Sequence, residues 1–393
     1  MSSIFTLAQL PAGVAIHRRW CNGDWARTPL TGVVAIPACN EDARILRCLT
    51  SLAGQTATDG LGVLVFVNGT TDATFRRAVA FGRRHPLPLC VVDATLPADR
   101  RDAGAARCAA IHAAMAAAGG SAGAIFTTDA DSEVPSDWLR TYRALLSSGC
   151  DVVAGTTAIA ADDANDMPRS LKHRDQLERE YATCLDAIEH RLDPLAHDPW
   201  PRHYHASGAN LAFGRAALTR LADMPWPATG EDRHVVAYAE TMGLRVRHDM
   251  TCPVLTSGRI FGRARGGMAD TMRRRILDPE SPCDERLEAV EHVVFRARMR
   301  RLCRDFHHRT SMAAVHLGEL AAHLGLFEDA LRIAMEPACF AAAWAGIEQL
   351  SPRLARQPVS PGQLIHQCAL AESLLAQLSP PLQDEPSVTA NNA

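Results

Sequence analysis

Two aspartates separated by one residue stand at the end of a short apolar segment. Residues 124–126 are apolar and are followed, after two threonines, by Asp129 and Asp131. Because side chains alternate along a strand, these carboxylates would point to the same side of the chain. At the carboxyl end of a parallel sheet, such a pair suits Mg²⁺ or Mn²⁺ bridging to phosphate oxygens. Considered alone, the pair is explained equally well by a solvated turn or a helix cap.

Further buried strands and helices are predicted on both sides of this pair. Strands are predicted at residues 32–36, 61–67, 89–92 and 151–155. The first is a continuous apolar run, which is typical of a strand buried on both faces. Apolar residues at helical spacing lie between them, at 45–52, 75–81, 104–118 and 136–146. This alternation predicts an α/β fold with right-handed crossovers and a parallel sheet flanked by helices.

Polar turns follow three of these strands. Asn40 and Glu41 come after the first strand, residues 68–72 after the second, and Asp129 and Asp131 after the strand that ends at 126. Carboxyl ends of parallel strands meet at one edge of a sheet, so these turns are expected to lie together. That convergence favours a binding site over a solvated turn.

The second half of the chain carries weaker patterns. Ser170 is a candidate cap for a helix whose apolar residues run to Leu192. Residues 162–166 and 197–205 are predicted loops, and a second helix is predicted from Gly230 to about Met242. Short strands are predicted at 244–247 and 253–255, and helices at 312–324, 327–350 and 364–378. We therefore divide the chain into an N-terminal extension packed on the main domain (1–30), the α/β domain (31–267), a helical region (268–379) and a disordered, Pro-rich tail (380–393).

Composition excludes several classes of protein. The chain has 393 residues, 22% of them charged, and a formal net charge of -3, which gives no reason to expect nucleic acid as a partner. No apolar run reaches the length of a membrane span, and the N-terminus lacks a secretion signal. Twelve cysteines occur without a C-x-x-C pair, which favours reduced thiols in the cytoplasm. Peripheral contact of the C-terminal helices with a membrane is left open.

The order of the motifs resembles glycosyltransferase family 2, whose members are inverting enzymes with the GT-A fold. The resemblance covers residues 31–267. It implies a Rossmann-like, mixed but mainly parallel sheet flanked by helices, and hexosyl transfer from a nucleotide sugar. The positions that match the family's donor-binding motifs are Pro37, Ala38, Asn40, Glu41, Asn68, Asp72, Gly104, Arg107, Asp129, Ala130 and Asp131. Asn68 stands where the family usually has an acidic residue.

The resemblance also implies a mechanism. Asp232 matches the family's catalytic base and Glu231 the residue that orients the acceptor, while Asp131 and Asp129 would hold Mn²⁺ or Mg²⁺ at the diphosphate. A family segment near the acceptor and donor sugar is matched by Ser207, Gly208 and Asn210. Arg259 and Arg263 are candidates to bind the diphosphate by bidentate contacts, and a solvated basic loop explains them equally well. Because the Gln-x-x-Arg-Trp motif of processive members is missing, transfer of one sugar is expected.

Alternative interpretations remain at this stage. Acidic residues in the first turn of a helix, such as Glu231 and Asp232, are favoured by the helix dipole without any catalytic role. A D-x-D phosphohydrolase would carry its motif on the first strand, and a dinucleotide-binding oxidoreductase would need G-x-G-x-x-G there. A GT-A-like module that binds nucleotide without turnover is the non-enzymatic alternative. A zinc site at His197, His203 and His205 is disfavoured because no partner carboxylate is evident.

Overall fold

The structure is a computed structural model that describes residues 13–118, 123–222, 224–259, 267–308 and 316–378. The strands in these ranges are β1 (Ala15–Cys21), β2 (Gly32–Ala38), β3 (Leu61–Asn68), β4 (Leu89–Thr95), β5 (Ala124–Thr127), β6 (Val152–Ile159), β7 (Leu211–Gly214) and β8 (Val246–Thr256). The α-helices are α1 (Gly23–Arg27), α2 (Ile45–Ala53), α3 (Thr74–Gly82), α4 (Ala103–Ala117), α5 (Trp138–Ser147), α6 (Ala161–Asn165), α7 (Arg169–Leu192), α8 (Arg215–Arg220), α9 (Glu231–Thr241), α10 (Met268–Leu277), α11 (Val290–His307), α12 (Leu317–Leu324), α13 (Glu328–Ala334), α14 (Phe340–Leu350) and α15 (Leu364–Gln377).

All eight of these strands form one mixed sheet, in the order β1-β4-β3-β2-β5-β7-β6-β8. The pairs β2–β3, β3–β4, β2–β5 and β6–β8 are parallel, and β1–β4, β5–β7 and β6–β7 are antiparallel. The predicted fold class, a mainly parallel sheet flanked by helices and followed by a helical region, is confirmed.

Helices cover both faces of the sheet because the central strands are apolar on both sides. Along β2, Val33 and Ala35 belong to the core that also contains α4, whereas Val34 and Ile36 belong to the core that contains α2. This alternation follows from the two-residue period of a strand. The parallel pairing of β2 with β5 brings their carboxyl ends to one edge.

The N-terminal extension contributes a strand that the sequence pattern did not predict. β1 lies at the edge of the sheet, antiparallel to β4, and most of its residues are exposed. Edge strands need only one apolar face, so their sequences are weakly patterned. Arg18 extends the pairing through an ion pair with Asp93, with Nε 2.7 Å from Oδ2.

Several predicted element bounds were wrong. The predicted loop at 162–166 is mostly helix α6, and Pro168 rather than Ser170 precedes the first turn of α7. The two short strands predicted at 244–247 and 253–255 are one strand, β8, because the polar residues between them form an irregularity in which Asp249 Oδ2 accepts a hydrogen bond from Thr251 N at 3.0 Å.

The C-terminal helices also differ in detail from the prediction. The helix predicted at 327–350 is two helices, α13 and α14, with Pro337 between them. Of the helix predicted at 312–324, the part from Leu317 onward is observed, and residues 312–315 lie outside the described ranges. The predicted disordered tail, 380–393, also lies outside them.

The helical region packs on α7 through an apolar core and buried ion pairs. Tyr181, Leu185 and Ile188 of α7 contact residues of α11 and α15. At the end of α7, Asp193 is almost fully buried and accepts from Arg300 Nε at 2.5 Å as well as from Arg304. Such a buried carboxylate requires its cations, so the contact between the two regions is specific.

Candidate active site

The carboxyl ends of β2, β5 and β8 open onto a cleft of about 590 Å³. This volume lies in the range of small-molecule sites, about 300–1,000 Å³. The start of α9, the segment 205–208 and one side of α10 form its other walls. The predicted site residues that line it are Pro37, Ala38, Glu41, Arg107, Asp129, Ala130, Asp131, Ser207, Gly208, Glu231, Asp232 and Arg259.

Arg107 is the centre of the first of two ion networks at this cleft. Its side chain is only 8% exposed. Nη2 lies 2.9 Å from Oδ1 of Asp129, Nε lies 3.0 Å from Oε1 of Glu231, and Nη1 donates to the carbonyl oxygen of Gly208 at 2.8 Å. Burial opposes the charge of Arg107, but the carboxylates of Asp129 and Glu231 outweigh it and raise its pKa. Arg107 therefore connects the acidic pair after β5 to the acidic start of α9.

Gly208 brings Asp232 into the same network. Its backbone N–H donates to Oδ2 of Asp232 at 3.2 Å, and its carbonyl oxygen accepts from Thr127 as well as from Arg107. A Cβ at this position would lie 2.1 Å from Cζ of Arg107. The guanidinium therefore occupies the space that any larger residue would need, which is the physical reason for glycine here.

Arg259 is the centre of the second network. Its Nη1 and Nη2 lie 3.0 and 2.7 Å from the two carboxylate oxygens of Glu41, and Nη2 also lies 3.1 Å from Oδ2 of Asp131. Burial, together with the nearby carboxylates of Asp129 and Glu41, raises the pKa of Asp131 to about 6 against the opposing effect of Arg259. The cleft thus concentrates negative charge at Asp131.

The segment that carries Arg259 is held by α6 and by the residue that precedes α2. Gly258 N donates to Oδ2 of Asp163 at 2.8 Å, and Asp163 forms a two-point ion pair with Arg44, both distances 2.9 Å. The hydrogen bonds from Arg44 lower the pKa of Asp163 to about 2. These contacts position the backbone beside Arg259, at the end of β8.

The carboxylates suit a cation that arrives with a ligand. Among the described residues, no group of three or more His, Cys, Asp or Glu side chains is arranged to hold a metal by itself. Mg²⁺ and related ions are commonly held by one or two carboxylates plus phosphate oxygens of a substrate. Asp129 and Asp131 supply such a pair. Burial, together with the neighbouring carboxylates, raises the pKa of Asp131, and a bound cation would stabilise its charged form.

Three predicted donor-site residues lie outside the cleft lining and connect the turns above it. Asn40 has a positive φ of 52°, and its Oδ1 accepts from Thr71 N at 2.8 Å. Asn68 Oδ1 accepts from Leu96 N at 3.0 Å, and Asp72 accepts from the backbone N of Asp42 at 2.9 Å. The structure therefore brings these side chains to the polar edge of the sheet but commits them to backbone groups.

Gly104 and Asn210 also lie outside the cleft lining. A Cβ on Gly104 would be 2.0 Å from the carbonyl oxygen of Pro227, so glycine allows α4 to approach that loop. Asn210 is fully buried; its Oδ1 accepts from Trp138 Nε1 at 2.7 Å and its Nδ2 donates to the Thr156 carbonyl at 2.7 Å. Arg263 lies outside the described residues.

One wall of the cleft was not predicted from the sequence. It comes from α7, α10 and the adjoining segments, and its residues include Met167, Leu171, Asp175, Met272, Arg275 and Asp284. The apolar members follow ordinary helical spacing and pack together as a small core between the two helices. Nothing in that spacing distinguishes a cleft wall from a helix contact.

The histidines that suggested zinc are in different environments. His203 is buried, and its Nε2 donates to the carbonyl oxygens of Ala154 and Asp249 at 3.2 and 3.1 Å. Burial lowers the pKa of His203 to about 3, so the imidazole is neutral near pH 7. His205 lines the cleft. Among the described residues these histidines belong to no metal-binding group.

Structural comparison finds solved glycosyltransferases. TarS of S. aureus (residues 1–349, with UDP-GlcNAc) is 16% identical, with 81% of this chain and 91% of TarS covered and a TM-score of 0.44. The mannosyltransferase PcManGT of Pyrobaculum calidifontis, with GDP-Man and Mn²⁺, is 17% identical over 90% of this chain and 80% of its own, with a TM-score of 0.40. Glucosyl-3-phosphoglycerate synthase of Mycobacterium tuberculosis, with Mn²⁺, UDP and phosphoglyceric acid, is 17% identical over 63% of this chain and 78% of its own, with a TM-score of 0.37.

Sequence comparison finds a family model that matches part of the chain. No curated protein matches the chain. Residues 33–203 match the sequence model described as Glycosyl transferase family 2. The matched segment begins in β2 and includes the acidic pair after β5. Residues 33–203 are therefore similar in sequence to glycosyltransferase family 2.

Proposed function

We propose that the protein transfers a single sugar from a nucleoside diphosphate sugar to an acceptor hydroxyl, with inversion at the anomeric carbon. The observation that carries this proposal is the shared cleft of Asp129, Asp131 and Asp232. A donor held at the first two residues would present its sugar towards the third. The catalytic domain is proposed to span residues 31–267, with the C-terminal helices supporting α7.

The donor side of the cleft is proposed to be the first turn and the acidic pair. Pro37, Ala38 and Glu41 would contact the base and ribose, and Asp131 with Asp129 would hold Mn²⁺ or Mg²⁺ on the diphosphate. A bound divalent ion neutralises the charge that develops on a leaving nucleoside diphosphate. Arg259, which already contacts Glu41 and Asp131, can supply two further donors to phosphate oxygens.

Asp232 is the proposed general base. Its Oδ2 accepts from Gly208 N at 3.2 Å and its Oδ1 from Arg233 N at 2.8 Å, so the carboxylate is oriented while its residue stays half-buried at the cleft. An acceptor hydroxyl needs such a base because its own pKa is far above neutral. Glu231 is buried against Arg107 and would position the acceptor side of the site. Ser207 lies beside them in the cleft wall.

The acceptor side of the cleft and the cellular location are also proposals. Within the described residues, no helix combines the length and apolarity needed to cross a bilayer. The wall formed by α7 and α10 carries both apolar side chains and the carboxylates of Asp175 and Asp284, and we propose that it faces the acceptor. We propose that the chain acts in the cytoplasm, where nucleotide sugars are available.

A thermal-shift panel tests the donor and metal assignments. UDP, GDP, TDP and CDP are each added with and without Mn²⁺ to the wild type and to Asp131→Asn. One nucleotide is expected to stabilise the wild type by about 2.7 kcal/mol at a hundred times its Kd, and more with Mn²⁺ than without. Asp131→Asn should lose the metal-dependent part. Asp162→Asn, at a side chain that is 80% exposed, is the matched control.

Release of the nucleoside diphosphate from the corresponding donor sugars tests turnover. Release by the wild type and its loss in Asp232→Asn are expected. Nucleotide binding without release from any donor would favour the non-catalytic module instead. A full metal-dependent shift in Asp131→Asn would contradict the metal assignment.

A further inference from the structure

Two cysteines that do not line the cleft face each other across the edge of the sheet. Cys21 of β1 is the direct register partner of Cys90 of β4 in an antiparallel pair. The next pair along, Asn22 and Leu89, is joined by a backbone hydrogen bond from Asn22 N to Leu89 O of 3.0 Å. In an antiparallel ladder hydrogen-bonded and non-hydrogen-bonded pairs alternate, so Cys21 and Cys90 occupy a non-hydrogen-bonded pair.

That position suits a covalent bond between the side chains. Non-hydrogen-bonded partners have Cα atoms about 4.5 Å apart, within the range of about 4.4–6.8 Å found for disulfides. The two Sγ atoms of Cys21 and Cys90 lie 2.6 Å apart, closer than the roughly 3.5–4.0 Å of non-bonded carbon contacts. No movement of the backbone is needed to bring the thiols together.

We propose that Cys21 and Cys90 are a redox modification site, at which a small-molecule disulfide oxidises the two thiols to a cross-strand disulfide. Cys21 is partly exposed and Cys90 is fully buried. Cys21 is therefore the thiol that an oxidant reaches, and Cys90 is the one that resolves the intermediate. Both thiols are free in the reduced chain.

The reaction balances with an oxidised disulfide such as oxidised glutathione. The Cys21 thiolate attacks one sulfur, forming a mixed disulfide and releasing one glutathione thiol. The Cys90 sulfur, after losing its proton, then attacks the Cys21 sulfur, forming the Cys21–Cys90 bond and releasing the second thiol. The neighbouring Cys90 thiol and the charge of Arg19 lower the pKa of Cys21, and this supports its role as attacking group.

The bond would attach the N-terminal strand covalently to the sheet. It would close a loop between residues 69 apart in sequence. In the chain-entropy account of disulfides, closing a loop of this length lowers the conformational entropy of the unfolded chain. For a protein of this size the expected rise in Tm is roughly 5 °C. β1 would then stay paired with β4, and cover its edge, even when the polar side-chain contacts of β1 break.

The test uses the full chain treated with oxidised glutathione, followed by alkylation and peptide mapping without reduction. A peptide that joins Cys21 to Cys90, lighter by two hydrogen atoms than its reduced parts, is expected. The oxidised protein should have a higher Tm, and dithiothreitol should reverse the increase. Cys21→Ser and Cys90→Ala should each lose the cross-link and the shift in Tm. Cys39→Ser, at an exposed cysteine, is the matched control and should keep both.

Three outcomes would overturn the proposal. They are survival of both thiols under oxidation, a stable glutathione adduct on Cys21 in the wild type, and a disulfide that joins either residue to a different cysteine. Because mapping is done on the wild type, poor folding of either variant does not prevent a decision. Nucleotide binding plays no part in this test, so its result is independent of the proposed transfer reaction.

Discussion

Arg107 and Arg259 each join two carboxylates at the same cleft, but their surroundings differ. Arg107 lies within α4, is 8% exposed and contacts Asp129, Glu231 and the Gly208 carbonyl. Arg259 follows β8, is 28% exposed and contacts Glu41 and Asp131. The first arginine is enclosed by the fold, whereas the second stands at the open side of the cleft.

This difference indicates which contacts can change when a ligand binds. A buried guanidinium with three protein acceptors cannot leave them without exposing unpaired charges, so the Arg107 network is expected to be permanent. Arg259 shares its carboxylates with the proposed nucleotide and metal positions, and its exposure lets it exchange a carboxylate for a phosphate. We infer that the site has a fixed half, formed by Arg107 with Asp129 and Glu231. Its exchangeable half, formed by Arg259 with Glu41 and Asp131, is where the donor would bind.

The largest expected effect is on the chemistry that the fixed half supports. Asp232→Asn should lower kcat by roughly 10²–10⁴-fold, because the isosteric amide cannot take up the acceptor proton. Its nucleotide affinity should stay within about twofold of the wild type, since Asn can still accept from Gly208 N. Rates of nucleoside diphosphate release and thermal shifts measure the two quantities, with Asp162→Asn as control. An unchanged kcat would remove Asp232 from the mechanism.

The next effect concerns stability. Arg107→Met should lower the free energy of unfolding by about 3–5 kcal/mol, since it leaves Asp129 and Glu231 close together without their cation. Arg107→Lys keeps the charge but not the fork geometry of the guanidinium. Its free energy of unfolding should lie between those of the wild type and Arg107→Met. Urea unfolding measures this. A loss below about 1 kcal/mol, typical of exposed pairs, would mean that Arg107 is as exchangeable as Arg259.

A smaller effect is expected in the exchangeable half. Arg259→Ala should weaken binding of the metal-bound nucleotide about 10- to 100-fold, because hydrogen bonds to charged groups contribute about 1.5–3 kcal/mol. The free energy of unfolding should fall less than in Arg107→Met, because Arg259 is more exposed than Arg107. Isothermal titration with the nucleotide selected by the panel measures the affinity, and Arg47→Ala, at a 55% exposed arginine near the same rim, is the control. Unchanged affinity would place the diphosphate elsewhere.

The smallest effect on binding is expected at a residue outside the cleft lining. Asn68→Ala should change nucleotide affinity less than about twofold, because its amide is committed to Leu96 N. Loss of that buried partner should instead cost about 1–3 kcal/mol of stability. Titration and unfolding of the same variant separate the two effects. A large loss of nucleotide affinity with unchanged stability would indicate that Asn68 contacts the donor.

The sequence was a good guide wherever a pattern is local. The apolar runs of β2, β3 and β4 identified the central strands, and the polar residues after them identified the functional edge. Strands buried on both faces are typical of parallel sheets, whose carboxyl ends lie at one edge. β1 escaped prediction since an exposed edge strand needs little apolar pattern. β8 was divided in two because its irregularity at Asp249 interrupts the run of apolar residues.

The amino-acid sequence by itself determined the type of fold, the edge at which the acids of β2 and β5 gather, and the similarity of residues 33–203 to glycosyltransferase family 2. Only the tertiary structure decided which of those side chains face the cleft, because Asn40, Asn68, Asp72 and Asn210 have the same chemistry as site residues but are used by backbone groups. It also decided that Arg107 joins Asp129 to Glu231. These residues are separated by 22 and 124 positions from Arg107, and no local pattern encodes a contact over such distances.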